Sequence, residues 1–205
     1  MNASHVTSAD SRLRQSVADA EAMLRRLPGV FGELSTIADL CARVLNDGGK
    51  LLLCGNGGSA AECQHFAAEF VVRLSPHSER GALPAIALTT DTSLLTACAN
   101  DFGFDRVFAR QVEALLQRGD SLLLFSTSGQ SPNLIEAART ARERGGHVIA
   151  FVGEKETPLD ALSHHVLHVP SASPQRVQEG HLLCGHLFVE LVEEAVSRNA
   201  SGGKP

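Results

Sequence analysis

The chain has 205 residues, 43% of them hydrophobic and 20% charged, with a net charge of −5. At roughly 150 residues per domain this is one domain with additions, and folding at this size buries roughly 70% of the unfolded surface, enough for a core without staples. The acidic balance argues against nucleic acid as a partner, no apolar run approaches the roughly 18 residues of a membrane span, and the N-terminus lacks the basic-then-apolar order of a secretory signal.

The five cysteines, Cys41, Cys54, Cys63, Cys98 and Cys184, make no CxxC pair. They read as reduced, mostly buried thiols of a cytoplasmic protein. The absence of Trp and Tyr removes most stacking platforms for single strands.

In chain order, residues 8–28 predict an amphipathic helix, with Leu13, Val17, Met23, Leu24 and Leu27 on one stripe and Pro28-Gly29 as its end. Residues 33–47 predict a second helix stopped by Gly48-Gly49. Two helices before the first strand exceed the needs of a lone α/β domain, so their apolar faces are expected to pack on another subunit. Leu51–Cys54 is then the first of five short apolar runs, followed by Leu83–Thr89, Ser121–Ser126, His147–Val152 and His164–Val169. Helical stretches separate them: one to about Leu74, then Ser93–Ala99, Asp105–Gln117 and 132–144, with a long helix over 174–198. All-apolar runs alternating with helices indicate a parallel sheet covered on both faces. The expected fold is a flavodoxin-like, three-layer α/β/α sandwich with a five-stranded parallel sheet. The expected divisions are an N-terminal helical oligomerisation segment (1–49), the sandwich (50–198) and a flexible tail (199–205).

In such sheets ligands bind beyond the carboxyl ends of the strands. The first strand ends in Gly55-Asn56-Gly57-Gly58-Ser59, where backbone N–H groups can meet an anion at a helix N-terminus. A tight turn capped by Ser59 accounts for the same residues. The third strand ends in Ser126-Thr127-Ser128-Gly129-Gln130-Ser131-Pro132, with four hydroxyls in six positions. Hydroxyls and free backbone donors suit a phosphate monoester, the plain alternative being a polar turn with Ser131 as cap. His65 and Glu69 stand at i and i+4 on one helix face. Gln178 and His186 stand two turns apart on the last helix, with His181 as a competitor for the second histidine. Two histidines and a carboxylate can bind zinc, although spacing does not show that these helices meet.

Taken with Asn100-Asp101-Phe102-Gly103 and Gln178-Glu179-Gly180-His181 through His186, these motifs resemble the phosphoheptose isomerases, a family of sugar-isomerase (SIS) domain proteins, from about Leu13 to Val196. The resemblance implies a homotetramer built through the N-terminal helices, with active sites near subunit interfaces. It implies conversion of sedoheptulose 7-phosphate to glycero-manno-heptose 7-phosphate, the first step towards activated heptose for surface polysaccharide. Carried over by position, Ser59, Ser126, Thr127, Ser128 and Ser131 hold the phosphate. Asn56, Gly57, Gly58, Asn100 and Asp101 contact the sugar. Glu69 is the general base, His186 its acid/base partner, and His65, Glu69, Gln178 and His186 the ligands of one zinc per subunit. Ser173-Pro174-Gln175 departs from members that carry an acid there. A non-catalytic relative that binds the bacterial replication initiator protein shares the scaffold, including the look of Leu83–Asp91, but lacks the glutamate and the second histidine. A sugar-sensing transcription regulator needs a helix-turn-helix module, and residues 1–49 offer no basic recognition face.

Overall fold

The computed structural model describes residues 3–75 and 80–202, with side chains over 8–75 and 80–198. Helix α1 (Ala3–Arg26) passes through a 3₁₀ turn (Leu27–Val30) into α2 (Phe31–Asn46). Strand β1 (Leu51–Gly55) leads to α3 (Gly58–Val71), β2 (Ala85–Ala87) and α4 (Thr92–Phe102). A 3₁₀ turn (Phe104–Arg106) and α5 (Ala109–Leu115) precede β3 (Ser121–Phe125), α6 (Pro132–Glu143), β4 (His147–Val152), α7 (Pro158–Leu162), β5 (His165–His168) and α8 (Pro174–Gly202). The sheet has five parallel strands in the order β2-β1-β3-β4-β5, the α/β sandwich expected from the sequence.

The apolar runs serve two cores at once. Successive side chains of a strand point to opposite faces. Leu51, Leu53, Leu123, Phe125, Ile149 and Phe151 join the core beneath α2, α3 and α8. Leu52, Cys54, Leu122, Leu124, Val148 and Ala150 join the core beneath α4 to α7. β2 is shorter than the run Leu83–Thr89 that predicted it, because Pro84 lacks an N–H and this is the edge strand, with Ile86 exposed. All five cysteines are buried, and burial pushes the Cys184 thiol up to about 11.

The structure adds detail to the sequence expectations at three places. α2 belongs to the sandwich's own core: Leu34, Ile37, Cys41 and Val44 lie in the same core as the sheet, and α2 packs along α8. α1 carries Leu13 and Val17 exposed, while its C-terminal end is anchored by buried Met23 and by Arg26 donating to the Pro170 carbonyl at 3.0 Å. α8 runs to Gly202, into the segment read as a tail; residues 203–205 lie outside the described residues. α7 was not expected, although its start carries a readable capping box, with the Thr157 side chain accepting from the backbone and Asp160 accepting from Thr157 N. Among the described residues no helix is long and apolar enough to cross a membrane.

Candidate active site

β1 and β3 are neighbours, but the chain leaves β1 towards β2 on one side and leaves β3 towards β4 on the other. The loops after these two strands therefore diverge and open a crevice. Asn56, Ser59, Ser126, Thr127, Ser128, Ser131 and Gln178 line a cleft of about 80 Å³ there. The first loop turns through Gly57 at φ 56°, and no side chain caps the start of α3. Ser131 holds the N-cap position of α6 without a side-chain cap bond. Both loops turn tightly, but in neither does a serine hydroxyl cap the helix that follows.

The serine loop is built from within. Ser126 Oγ accepts from Gly129 N at 3.0 Å, and Ser128 Oγ accepts from Gln130 N at 3.3 Å. Gly129 stands at φ 62°, and a Cβ there would overlap Thr157, so the loop needs glycine for both conformation and space. Two side chains join the loops. Asn56 and Asn133 exchange amide hydrogen bonds, each Nδ2 donating to the other's Oδ1 at 2.9 Å. Asn133 is buried and escaped the sequence analysis; the signal available was an amide one position after the helix-starting Pro132.

α3 and α8 lie against each other along a ladder of close approaches. Gly58 meets the Gln178 amide, so tightly that a Cβ would fall 2.8 Å from its Oε1. Further along, Gly185 meets the ring of fully buried Phe66. Beyond that, His65 Nε2 lies 2.8 Å from His186 Nε2, and 3.6 Å from Glu69 Oε1. One ligand atom from each of His65, Glu69 and His186 lies within 4.8 Å of the others. Two imidazoles and a carboxylate converging this closely form a donor set suited to zinc. The structure thus joins the two helices that spacing alone left unconnected. The competing histidine points elsewhere: His181 is fully buried, edge-on to Phe125 at 5.8 Å, with its Nδ1 3.9 Å from Glu62 Oε2.

Gln178, expected as a fourth ligand, lines the cleft with its amide against Gly58, two turns of α8 before His186. Asn100 and Asp101, expected at the sugar, lie exposed at the end of α4, where Asn100 Nδ2 donates to Asp101 Oδ1 at 2.8 Å. α4 follows the edge strand, so neither residue lines this cleft. Gln175, the residue that replaces an acid, accepts from Ser173 Oγ at 3.0 Å.

Comparison with known proteins gives this geometry a family. The SIS domain family matches residues 17–153. The phosphoheptose isomerase of Burkholderia pseudomallei (strain 1710b) is 43% identical over 187 residues, covering 90% of this chain and 94% of that one. That of Aquifex aeolicus is 49% identical over 164 residues, covering 80% and 85%. The solved phosphoheptose isomerase of Neisseria gonorrhoeae superposes with a TM-score of 0.84 at 40% identity, covering 91% of this chain and 99% of that one. With a β1/β3 cleft lined by hydroxyls and a carboxylate–imidazole group beside it, the chain belongs to the phosphoheptose isomerase family of SIS-domain enzymes.

Proposed function

We propose that this isomerase converts sedoheptulose 7-phosphate to D-glycero-D-manno-heptose 7-phosphate in the cytoplasm, at the first step of activated-heptose synthesis for lipopolysaccharide, capsule or other surface glycans. The observation that carries the reading is one site with two chemistries. Hydroxyls and helix N-termini line a cleft at one end of α3 and α8, and a carboxylate faces two imidazoles two turns of α8 after Gln178, a helix rise of about 12 Å. An extended seven-carbon sugar phosphate has that span.

Ser59, Ser126, Thr127, Ser128 and Ser131 bind the phosphate in this reading, and Asn56 with the Gly57-Gly58 backbone orients the sugar. Glu69 removes the proton from C1 and returns it to C2, passing through an enediol. His186 moves the proton between the two oxygens. Both roles suit a half-buried carboxylate beside an imidazole. His65, Glu69 and His186 would hold the zinc, with Gln178 reaching the ligand from the cleft side. When bound, the ion supplies charge stabilisation for a developing oxyanion. A homotetramer assembled through the exposed stripe of α1 accounts for Leu13 and Val17 facing water, and an apposed subunit accounts for Asn100 and Asp101 lying outside this chain's own cleft.

The test is direct. The pure protein, incubated with sedoheptulose 7-phosphate in D₂O, should yield the aldose with deuterium at C2 by NMR, and His65→Ala/His186→Ala should abolish both this and zinc retention. A protein that forms no aldose and exchanges no C1 proton fits the non-catalytic relative instead.

A further inference from the structure

The C-terminal end of α3 leaves backbone carbonyls without helical partners, as every helix does. Val72 N closes the helix on the Ala68 carbonyl at 2.8 Å, and the next two carbonyls find outside donors. Leu83 N donates to that of Phe70 at 3.1 Å. The Glu69 carbonyl accepts from Arg80 Nη2 at 2.7 Å. The same guanidinium is bound to Glu193 of α8, with Nε and Nη2 at 2.7 and 2.6 Å from Oε1, and its Nη1 donates to the Gly81 carbonyl at 2.9 Å. Glu193 Oε1 also accepts from Leu74 N at 3.3 Å. Both charged side chains are nearly out of water, 4% exposed for Arg80 and 10% for Glu193.

Burying such a pair costs in desolvation about what its attraction returns, so stability by itself is a weak account of it. Its placement offers a stronger one. Arg80 grips the backbone of the residue whose carboxylate faces His65, and Glu193 sits seven residues from His186, on the same face of α8. The guanidinium is therefore a strut from the Glu69 peptide to the helix that carries His186. A lysine ammonium is a single point charge and cannot reproduce this planar fork.

We propose that Arg80, oriented by Glu193, is a positioning residue that fixes Glu69 relative to His186, and so sets both turnover and metal affinity at the three-residue cluster. The proposal rests on the isomerase reading for its kinetic arm and on zinc binding for its other arm.

The decisive variant is Arg80→Met/Glu193→Leu in the full-length protein, which removes both charges and leaves an apolar contact of similar bulk. Its melting temperature should stay within about 5 °C of wild type, as replacement of a buried pair by packed apolar groups allows. Its kcat should nevertheless fall about 10²-fold with KM nearly unchanged, the size expected when a reacting group is misplaced by about 1 Å. Zinc affinity, measured by competition with a chromogenic chelator, should fall about 10–100-fold, as when an outer partner of a metal ligand is lost. Arg80→Lys should show the same two deficits while keeping the charge. Wild-type kcat and zinc affinity in the double variant would overturn the proposal, and so would a fall of more than about 10 °C in its melting temperature, which assigns the pair to stability. A wild-type chain that isomerises nothing sinks the isomerase reading but leaves the strut to be judged on zinc affinity.

Discussion

Gly185→Ala tests whether the contact between α3 and α8 holds the site together. A Cβ at residue 185 would overlap three ring atoms of Phe66, and even the farthest of them would be 2.7 Å away. Carbon atoms rest at about 3.5–4.0 Å, so a gap of roughly 1 Å or more must open. Phe66 cannot swing aside. It is fully buried, its ring centroid 5.3 Å from that of Phe125 and 6.1 Å from that of His186. The helices must separate instead. Overpacking of this kind costs about 1–3 kcal/mol, and at about 2–4 °C per kcal/mol for a chain of this size the melting temperature should fall by roughly 2–12 °C. The neighbouring His65–His186 approach opens with it, and a displacement of about 1 Å should lower kcat about 10²-fold. Calorimetry and initial rates on sedoheptulose 7-phosphate measure the two effects. Gly32→Ala is the control: nothing lies within 4 Å of the added carbon, so stability should hold or rise by up to about 1 kcal/mol. A Gly185→Ala protein with wild-type melting temperature and turnover would refute the reasoning, because Phe66 would then have room that the structure denies it.

Glu69→Gln keeps size and shape, so the protein should fold and bind substrate while kcat drops about 10²–10⁴-fold; added zinc should not restore turnover if Glu69 is the base, and near-normal turnover without metal would exclude it. Asn133→Ala strips the Asn56 amide of its reciprocal partner, which should cost about 1–3 kcal/mol in denaturant unfolding and raise KM more than it lowers kcat; unchanged values for both would disconnect the pair from the cleft. For Asp160, burial works against the charge, but hydrogen bonds from Thr157 and His168 outweigh it and hold the carboxyl below its usual range. A depressed carboxyl contributes stability that is complete above its unfolded value, about 3.9, and lost as pH falls through the lower folded value. Asp160→Asn should therefore be destabilising near pH 7 and progressively less so below about pH 4, and a deficit that persists undiminished in acid would assign the effect to packing.

The fold was legible because each central strand is buried on both faces, which turns it into an unbroken apolar run. The same property hid the alternation: Leu51 and Leu52 look alike in sequence but belong to different cores. α2 was legible only in part for a related reason. An amphipathic stripe announces that a face will be buried but not what will bury it, and Leu34, Ile37 and Val44 are covered by this chain's own α8 and sheet. α7 hides because five residues hold too little periodicity to register, leaving only its capping box as a sign.

At the site, what could be read was what a loop or a single turn of helix encodes. Hydroxyl density at the end of β3, and His65 with Glu69 at i and i+4, are local patterns with local meaning. What could not be read depends on how α3 and α8 meet. His181 and His186 are both histidines on one apolar helix, and only the packing of that helix sends the first into the core and the second towards His65. Two glycines set that packing. Gly180 lets α8 settle on Val169, and Gly185 lets it settle on Phe66; a side chain at either position would collide. In sequence each is a glycine inside a helix, a residue whose local effect is to weaken the helix by about 1 kcal/mol relative to alanine. Their value appears only in tertiary structure, where the missing side chains admit the neighbouring element and bring a ligand-bearing face of α8 onto α3. Arg80 is hidden in the same way. It lies eleven residues after Glu69 in a stretch with no helical pattern, and its bond to the Glu69 carbonyl comes from the chain's return towards β2 rather than from any motif. The residues that perform chemistry here announce themselves by type and spacing, while those that aim them do so by absence of bulk or by a long-range reach, and a one-dimensional pattern records neither.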